Sequence, residues 1–154
     1  MSDLNKRVLR RLFDEVINGR NFAVIDELFA PDYVNHGPFP PDTPDLASLK
    51  RFFAATPAAF PDMRVELKDV IAEGDLVAYR AVVTGTHRGE FAGLKPTGRR
   101  VEVTEINISR FRDGLMVEHW AVLDEASMMR QLAASCQTAR NTANTASCAV
   151  ATWV

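Results

Sequence analysis

The apolar residues of this chain change their spacing once, at Pro61, and that switch restricts the fold more than any other feature. Before it they recur every three or four positions, as one face of a helix requires; after it they alternate, as a half-buried strand requires. Leu4, Val8, Leu9, Leu12, Phe13, Val16 and Ile17 make one helical stripe, which Ser2 or Asp3 can cap and Asn18-Gly19 can end. Phe22, Ile25, Leu28 and Phe29 predict a second, short helix that Pro31 stops. Asp32 to His36 reads as a short extended piece, followed by the proline-rich turn GPFPPDTPD. Asp45 can cap a third helix burying Leu46, Leu49, Phe52, Phe53 and Phe60, with Pro57 and Pro61 bracketing its end.

Beyond Pro61, MRVELKDVIA predicts a strand with Val65 and Leu67 on one face, and Glu73-Gly74-Asp75 turns the chain into the longer strand LVAYRAVVTGTH. RGEFAGLKPTGRR is a loop. VEVTEINISRF and LMVEHWAVLD form a hairpin around Asp113-Gly114, and EASMMRQLAA closes as a helix. Helices first and an antiparallel meander second predict an α+β fold rather than an alternating parallel sheet. A long twisted sheet curls, and helices across its concave side leave a cone with one open end, a natural ligand pocket. Residues 134–154 form an Ala/Thr/Asn-rich tail read as irregular or weakly helical, with Trp153 and Val154 able to dock on a neighbouring surface; residues 1–133 form the domain.

Composition removes several classes of function. The 154 residues are 47% hydrophobic and 25% charged with a net charge of -2, the profile of one soluble domain with no nucleic-acid or anionic-membrane footprint. No apolar run approaches the ~20 residues a membrane span needs, and the charged N-terminus is not a signal peptide, so a reducing cytoplasm is expected. Cys136 and Cys148 make neither a disulfide framework nor a metal knuckle, and three scattered histidines predict no metal site. No P-loop, dinucleotide fingerprint or Gly-x-Ser-x-Gly elbow occurs, and no cofactor is expected.

Three segments carry a resemblance. RFRDGLMVEHWAVLDEASMMRQL, TGTHRGEFAGLKPTGRRVEV and LFAPDYVNHGP, in this order and spacing, resemble the SnoaL-like polyketide cyclases across residues 1–133. The resemblance implies an NTF2-like cone-shaped barrel. It also implies cofactor-independent ring closure by intramolecular aldol condensation on a polycyclic aromatic polyketide ester. Binding or accessory proteins, hydrolases and dehydratases share the scaffold and stand as the alternative.

An aldol closure needs a base, a group that holds the enolate and an acid for the new alkoxide. Asp124, ending a strand with apolar neighbours Val122 and Leu123, is the base candidate, and the resemblance puts the family's catalytic acid/base at this Asp; its other reading is the cap of the last helix. Trp120, four residues earlier on the same face, is read as a wall stacking on a planar ligand, with His119 pointing away from the pocket. Of Asn35 and His36, adjacent and therefore on opposite faces, one points inward to orient a carbonyl, or both serve the turn. The resemblance favours Asn35. Hairpin register decides the rest: a two-residue loop pairs Asn107 with Trp120 and brings Glu105, Asn107 and Ser109 inward, whereas a three-residue loop brings Ile106, Ile108 and Arg110 to the Trp120 side. Ile108 and Arg110 stand where characterised family members carry polar side chains, often Gln and His, and Arg110 suits an anionic carboxylate or enolate. His87 lies near the pocket mouth, with a structural role as its alternative. A hydrophobic small molecule is the expected ligand, and an outer sheet face of Val117, Ala121, Leu123 and His119 predicts a homodimer.

Overall fold

The computed structural model describes residues 2–37 and 43–133, leaving the tail and its two cysteines outside the described residues. Helix α1 (Ser2–Arg11) runs straight into π-helical turns over Leu12–Asn18, so the predicted apolar stripe is one continuous helical rod. Leu9, Leu12, Phe13 and Val16 along it are buried. Asn18 fastens its end to the sheet: the side-chain amide donates to the Val65 carbonyl at 2.8 Å and accepts from the Val65 N–H at 2.9 Å, as a neighbouring strand would.

A 3₁₀ turn (Phe22–Val24) and one turn of helix α2 (Ile25–Leu28) follow. The helix ends before Pro31, because Phe29 already lies in strand β1 (Phe29–Asn35), which carries Pro31 inside it. An edge strand tolerates a residue without an N–H. Helix α3 (Leu46–Ala59) starts at a reciprocal capping box in which Asp45 accepts from the Ser48 N–H at 2.8 Å. Pro57 sits inside its last turn rather than ending it.

Strands β2 (Arg64–Glu73), β3 (Leu76–Thr86), β4 (Arg100–Arg112) and β5 (Leu115–Leu123) form the antiparallel meander, and helix α4 (Glu125–Ala133) closes the domain. The sheet order is β1-β5-β4-β3-β2. β1 lies parallel to β5, so the curved, unclosed sheet is mixed rather than wholly antiparallel. No helix among the described residues is long and apolar enough to cross a membrane.

The β4–β5 hairpin decides which side chains face the helices. Its turn has two residues, Asp113 and Gly114, both at positive φ (54° and 79°), as right-twisted strands require. Arg112 pairs with Leu115 and Phe111 with Met116, but Arg110 then pairs with Glu118, leaving Val117 as an extra residue in β5. That bulge shifts every later pair by one. Ile108 therefore opposes Trp120, Ser109 opposes His119 and Asn107 opposes Ala121. The inner face takes Glu105, Asn107 and Ser109 from β4 and His119, Ala121 and Leu123 from β5, while Trp120 goes to the outer face. The expected sidedness of β5 is thus reversed: Ala121, Leu123 and His119 face inward rather than forming the outer surface.

Candidate active site

Between the π-helical turns, α3 and the inner face lies a cavity of about 140 Å³. Phe13, Phe29, Phe52, Phe53, Phe60 and Phe91 supply aromatic wall. Four polar lining groups gather on the inner face of neighbouring strands: Glu105 and Asn107 on β4, His119 on β5 and Asn35 on β1, which pairs with His119. Such a pocket offers a mostly apolar wall and a few groups to orient a ligand.

Each of these groups carries the mark of desolvation. Burial pushes the Glu105 carboxyl above the usual carboxylate range; the neighbouring Asn107 amide softens that shift. Asn107 is 2% exposed, and its Nδ2 forms no well-made hydrogen bond in the free protein. An amide nitrogen carries two N–H groups, so one turned toward Glu105 still leaves another for a ligand oxygen. Burial lowers His119 from 6.5 to about 4, so its imidazole is neutral at ordinary pH. His119 Nδ1 sits 3.0 Å from the Ser109 hydroxyl, which is fully buried. Tyr79, whose phenol burial also pushes up, faces the His119 ring at 6.3 Å.

Asn35 reaches the cavity and also serves the turn. Its Nδ2 donates to the Thr43 hydroxyl at 3.0 Å and its Oδ1 accepts from the Gly37 N–H at 3.2 Å. His36 faces the other way. Its ring stacks on Trp120 at 4.9 Å with the planes 12° apart, and its Nε2 lies 3.3 Å from Glu118. Arg110 joins that outer cluster, pairing with Glu118 at 2.7 Å and Asp75 at 3.3 Å and lying over the Trp120 ring at 5.6 Å. Trp120, His36 and Arg110 therefore come together, but on the convex side, and the expected contacts of Trp120 and Arg110 with a ligand in the cavity are corrected by the Val117 bulge. His87 is fully buried without lining the cavity. Its Nδ1 accepts from the Thr97 N–H at 3.3 Å and its ring lies against Phe60, so it ties down the loop between β3 and β4. Asp124 is exposed, and its carboxylate accepts the Ser127 N–H at 2.9 Å, which is the geometry of a helix cap.

A model of the SnoaL-like polyketide cyclases matches residues 7–132. The chain belongs to that family. It is 30% identical over 131 residues to the aklanonic acid methyl ester cyclase AcmA of Streptomyces galilaeus, covering 80% of this chain and 87% of that one. It is 29% identical over 115 residues to the nogalonic acid methyl ester cyclase of Streptomyces nogalater, covering 70% and 82%. Among solved structures, IdmH of Streptomyces antibioticus superposes with a TM-score of 0.73 at 41% identity, over 83% of this chain and 97% of that one. The SnoaL-like, NTF2-like architecture is therefore the frame that holds Glu105, Asn107, His119 and Asn35. Of these, the sequence places His119 on the outer face and brings Glu105 and Asn107 inward only in one of two hairpin registers. Glu105 was traceable as the polar break in the alternation Val101, Val103, Glu105; His119 needed the bulge, which no residue type announces.

Proposed function

We propose that this SnoaL-like cyclase performs cofactor-independent acid–base chemistry on a hydrophobic aromatic polyketide ester, closing a ring by intramolecular aldol condensation with Glu105 as the base. The observation that carries this reading is a lone carboxyl in an aromatic cavity, its affinity for protons raised by burial, beside the buried Asn107 amide. A base of raised pKa accepts a proton from a carbon next to a carbonyl more readily than a solvated carboxylate does. The Asn107 N–H is placed to hold the enolate oxygen, and the remaining Asn35 donor orients the other end of the ligand. Asp124 fits this role less well, because its carboxylate is in water and already accepts a backbone N–H.

The test is deuterium exchange at the carbonyl-activated carbon of an aromatic keto ester in heavy water. Glu105→Gln is expected to slow exchange by about 10²-fold or more. Asp124→Asn is expected to keep exchange while weakening the cap of α4 by roughly 1 kcal/mol. Exchange that survives Glu105→Gln but collapses in Asp124→Asn would reverse the assignment, and binding without exchange in the native protein would make the domain a carrier.

We also propose that a second copy of the chain covers the outer face. Ile71, Ile106 and Val122 there are 71%, 59% and 70% exposed, around Ile108 and Trp120. Arg80–Asp69 and Arg110–Glu118 pairs at the rim offer both signs of charge to an identical surface.

A further inference from the structure

The cavity is small for a polycyclic ligand. At about 140 Å³ it matches the engineered pocket of roughly 150 Å³ that takes one benzene, and it falls below the roughly 300–1,000 Å³ of ordinary ligand sites. One aromatic ring fits beside Glu105 and Asn107; a system of three fused rings is more than the space holds. A ligand of that size enters only if a wall gives way, and the walls are not equally held.

Most of them are pinned. The π-helical turns are tied to β2 by Asn18, whose side chain both donates to and accepts from the Val65 backbone. Helix α3 starts in its capping box, and the connection after it is tied to β3, where the Asp62 carboxylate accepts from the Thr86 N–H at 2.6 Å. Helix α4, which brings Met128 to the cavity, is fixed by Gln131, whose side chain makes two hydrogen bonds of 2.8 Å with the Glu102 backbone. Strands β3, β4 and β5 hold one another in continuous ladders.

Phe91 is mounted differently. It belongs to the loop that joins β3 to β4, and its ring lines the cavity edge-on to Phe60 at 5.1 Å. The loop is tied at its neck. There the Arg88 and Gly89 N–H groups donate to the Ala59 carbonyl at 2.8 and 3.1 Å. The Thr97 N–H donates to His87 Nδ1 at 3.3 Å, and the Gly98 N–H to the His87 carbonyl at 2.8 Å. The tip closes on itself: the Phe91 N–H donates to the Leu94 carbonyl at 3.1 Å and the Leu94 N–H to the Phe91 carbonyl at 2.9 Å. Ala92 and Gly93 make the turn between them, both at positive φ (49° and 76°), and both are exposed. A turn closed in this way can swing about its neck without breaking its own bonds.

We propose that Phe91 is the specificity-determining residue of the cavity: with its ring inside, the site admits one aromatic ring, and a ligand of three fused rings binds with the 90–96 tip turned outward and the Phe91 ring withdrawn. The side chain and the extra rings of the ligand compete for one place. Leu94, packed in the same apolar cluster, leaves with the tip. The proposal rests on the reading above for its aromatic ligand, and not on Glu105 as the base.

The experiment titrates the full chain with a one-ring and a three-ring methyl ketone, acetophenone and acetylanthracene, by equilibrium dialysis. In the native protein, displacement of the tip offsets the gain from added apolar area, and the three-ring ketone is expected to bind no more tightly than the one-ring ketone. In Phe91→Ala the place of the ring is open. The three-ring ketone is then expected to gain about tenfold in affinity, while the one-ring ketone, with a wall gone, loses a few-fold. Phe91→Leu, which keeps an apolar contact on Phe60, is expected to fall between. A native protein that already prefers the three-ring ketone as strongly as Phe91→Ala does, or a variant that changes both affinities by the same factor, would overturn the proposal. Glu105→Gln is expected to leave the order of sizes unchanged while slowing deuterium exchange of the same ketones, so this proposal and the base assignment fail on different readouts.

Discussion

A carboxyl and an imidazole share the cavity, and one cause moves them in opposite directions. Loss of water disfavours the charged form of each, raising Glu105 and lowering His119. The consequences for stability have opposite signs. The unfolded His119 binds a proton near pH 6.5 and the folded one only near 4. Its contribution is present above pH 6.5 and is lost as pH falls toward 4, by about 3 kcal/mol at most. Acid unfolding of His119→Gln should be correspondingly flatter across that window, as urea melts at stepped pH would read. For Glu105, whose folded affinity is raised, the favourable state is the protonated one, and stability declines as pH rises through the raised value. Glu105→Gln should therefore raise the melting temperature more at pH 8 than at pH 4, the reverse of what loss of a structural carboxylate would do.

At the scale of elements, the β4–β5 turn is the most demanding point. Gly114 holds φ at 79°, and a Cβ there would sit 3.2 Å from Leu4 Cδ2. The Leu4 methyl can move, so strain at positive φ dominates, and Gly114→Ala should cost roughly 1–2 kcal/mol in a denaturant melt. The elements themselves were readable from Pro61 outward: four long strands, the Asp45 cap and the Asp-Gly turn all lie where periodicity and turn chemistry place them. The site was less readable because parity is not local. Asp113-Gly114 announces a two-residue turn, and a strict ladder from it would bring Trp120 inward beside Glu105 and Asn107. The extra residue at Val117 undoes that inference, and Val is as ordinary in a bulge as in a ladder. Parallel β1 escaped for a related reason: Pro31 reads as a helix stop, and only its edge position reconciles it with a strand.

For the whole molecule, two faces of one sheet do different work. The concave face and the helices enclose the cavity, and the convex face leaves its isoleucines and Val122 to water unless a second copy meets them. The native chain is expected to sediment as a dimer at micromolar concentration, and Val122→Asp to sediment as a monomer with its helical and strand content intact. A native monomer under those conditions would mean the face is simply solvated.

The bulge has a consequence for how such a domain can change. Upstream of Val117 nothing is altered by its presence; downstream, every side chain of β5 is addressed to one face or the other by that single residue, much as one nucleotide sets a reading frame. Drawing it into the ladder at unchanged chain length would exchange His119, Ala121 and Leu123 for Glu118, Trp120 and Val122 at the cavity wall in one event, whereas deleting it would keep the present pairs. A lineage built on this sheet can thus replace the cavity-facing side of a strand wholesale by forming or smoothing a bulge, without passing through the intermediate substitutions.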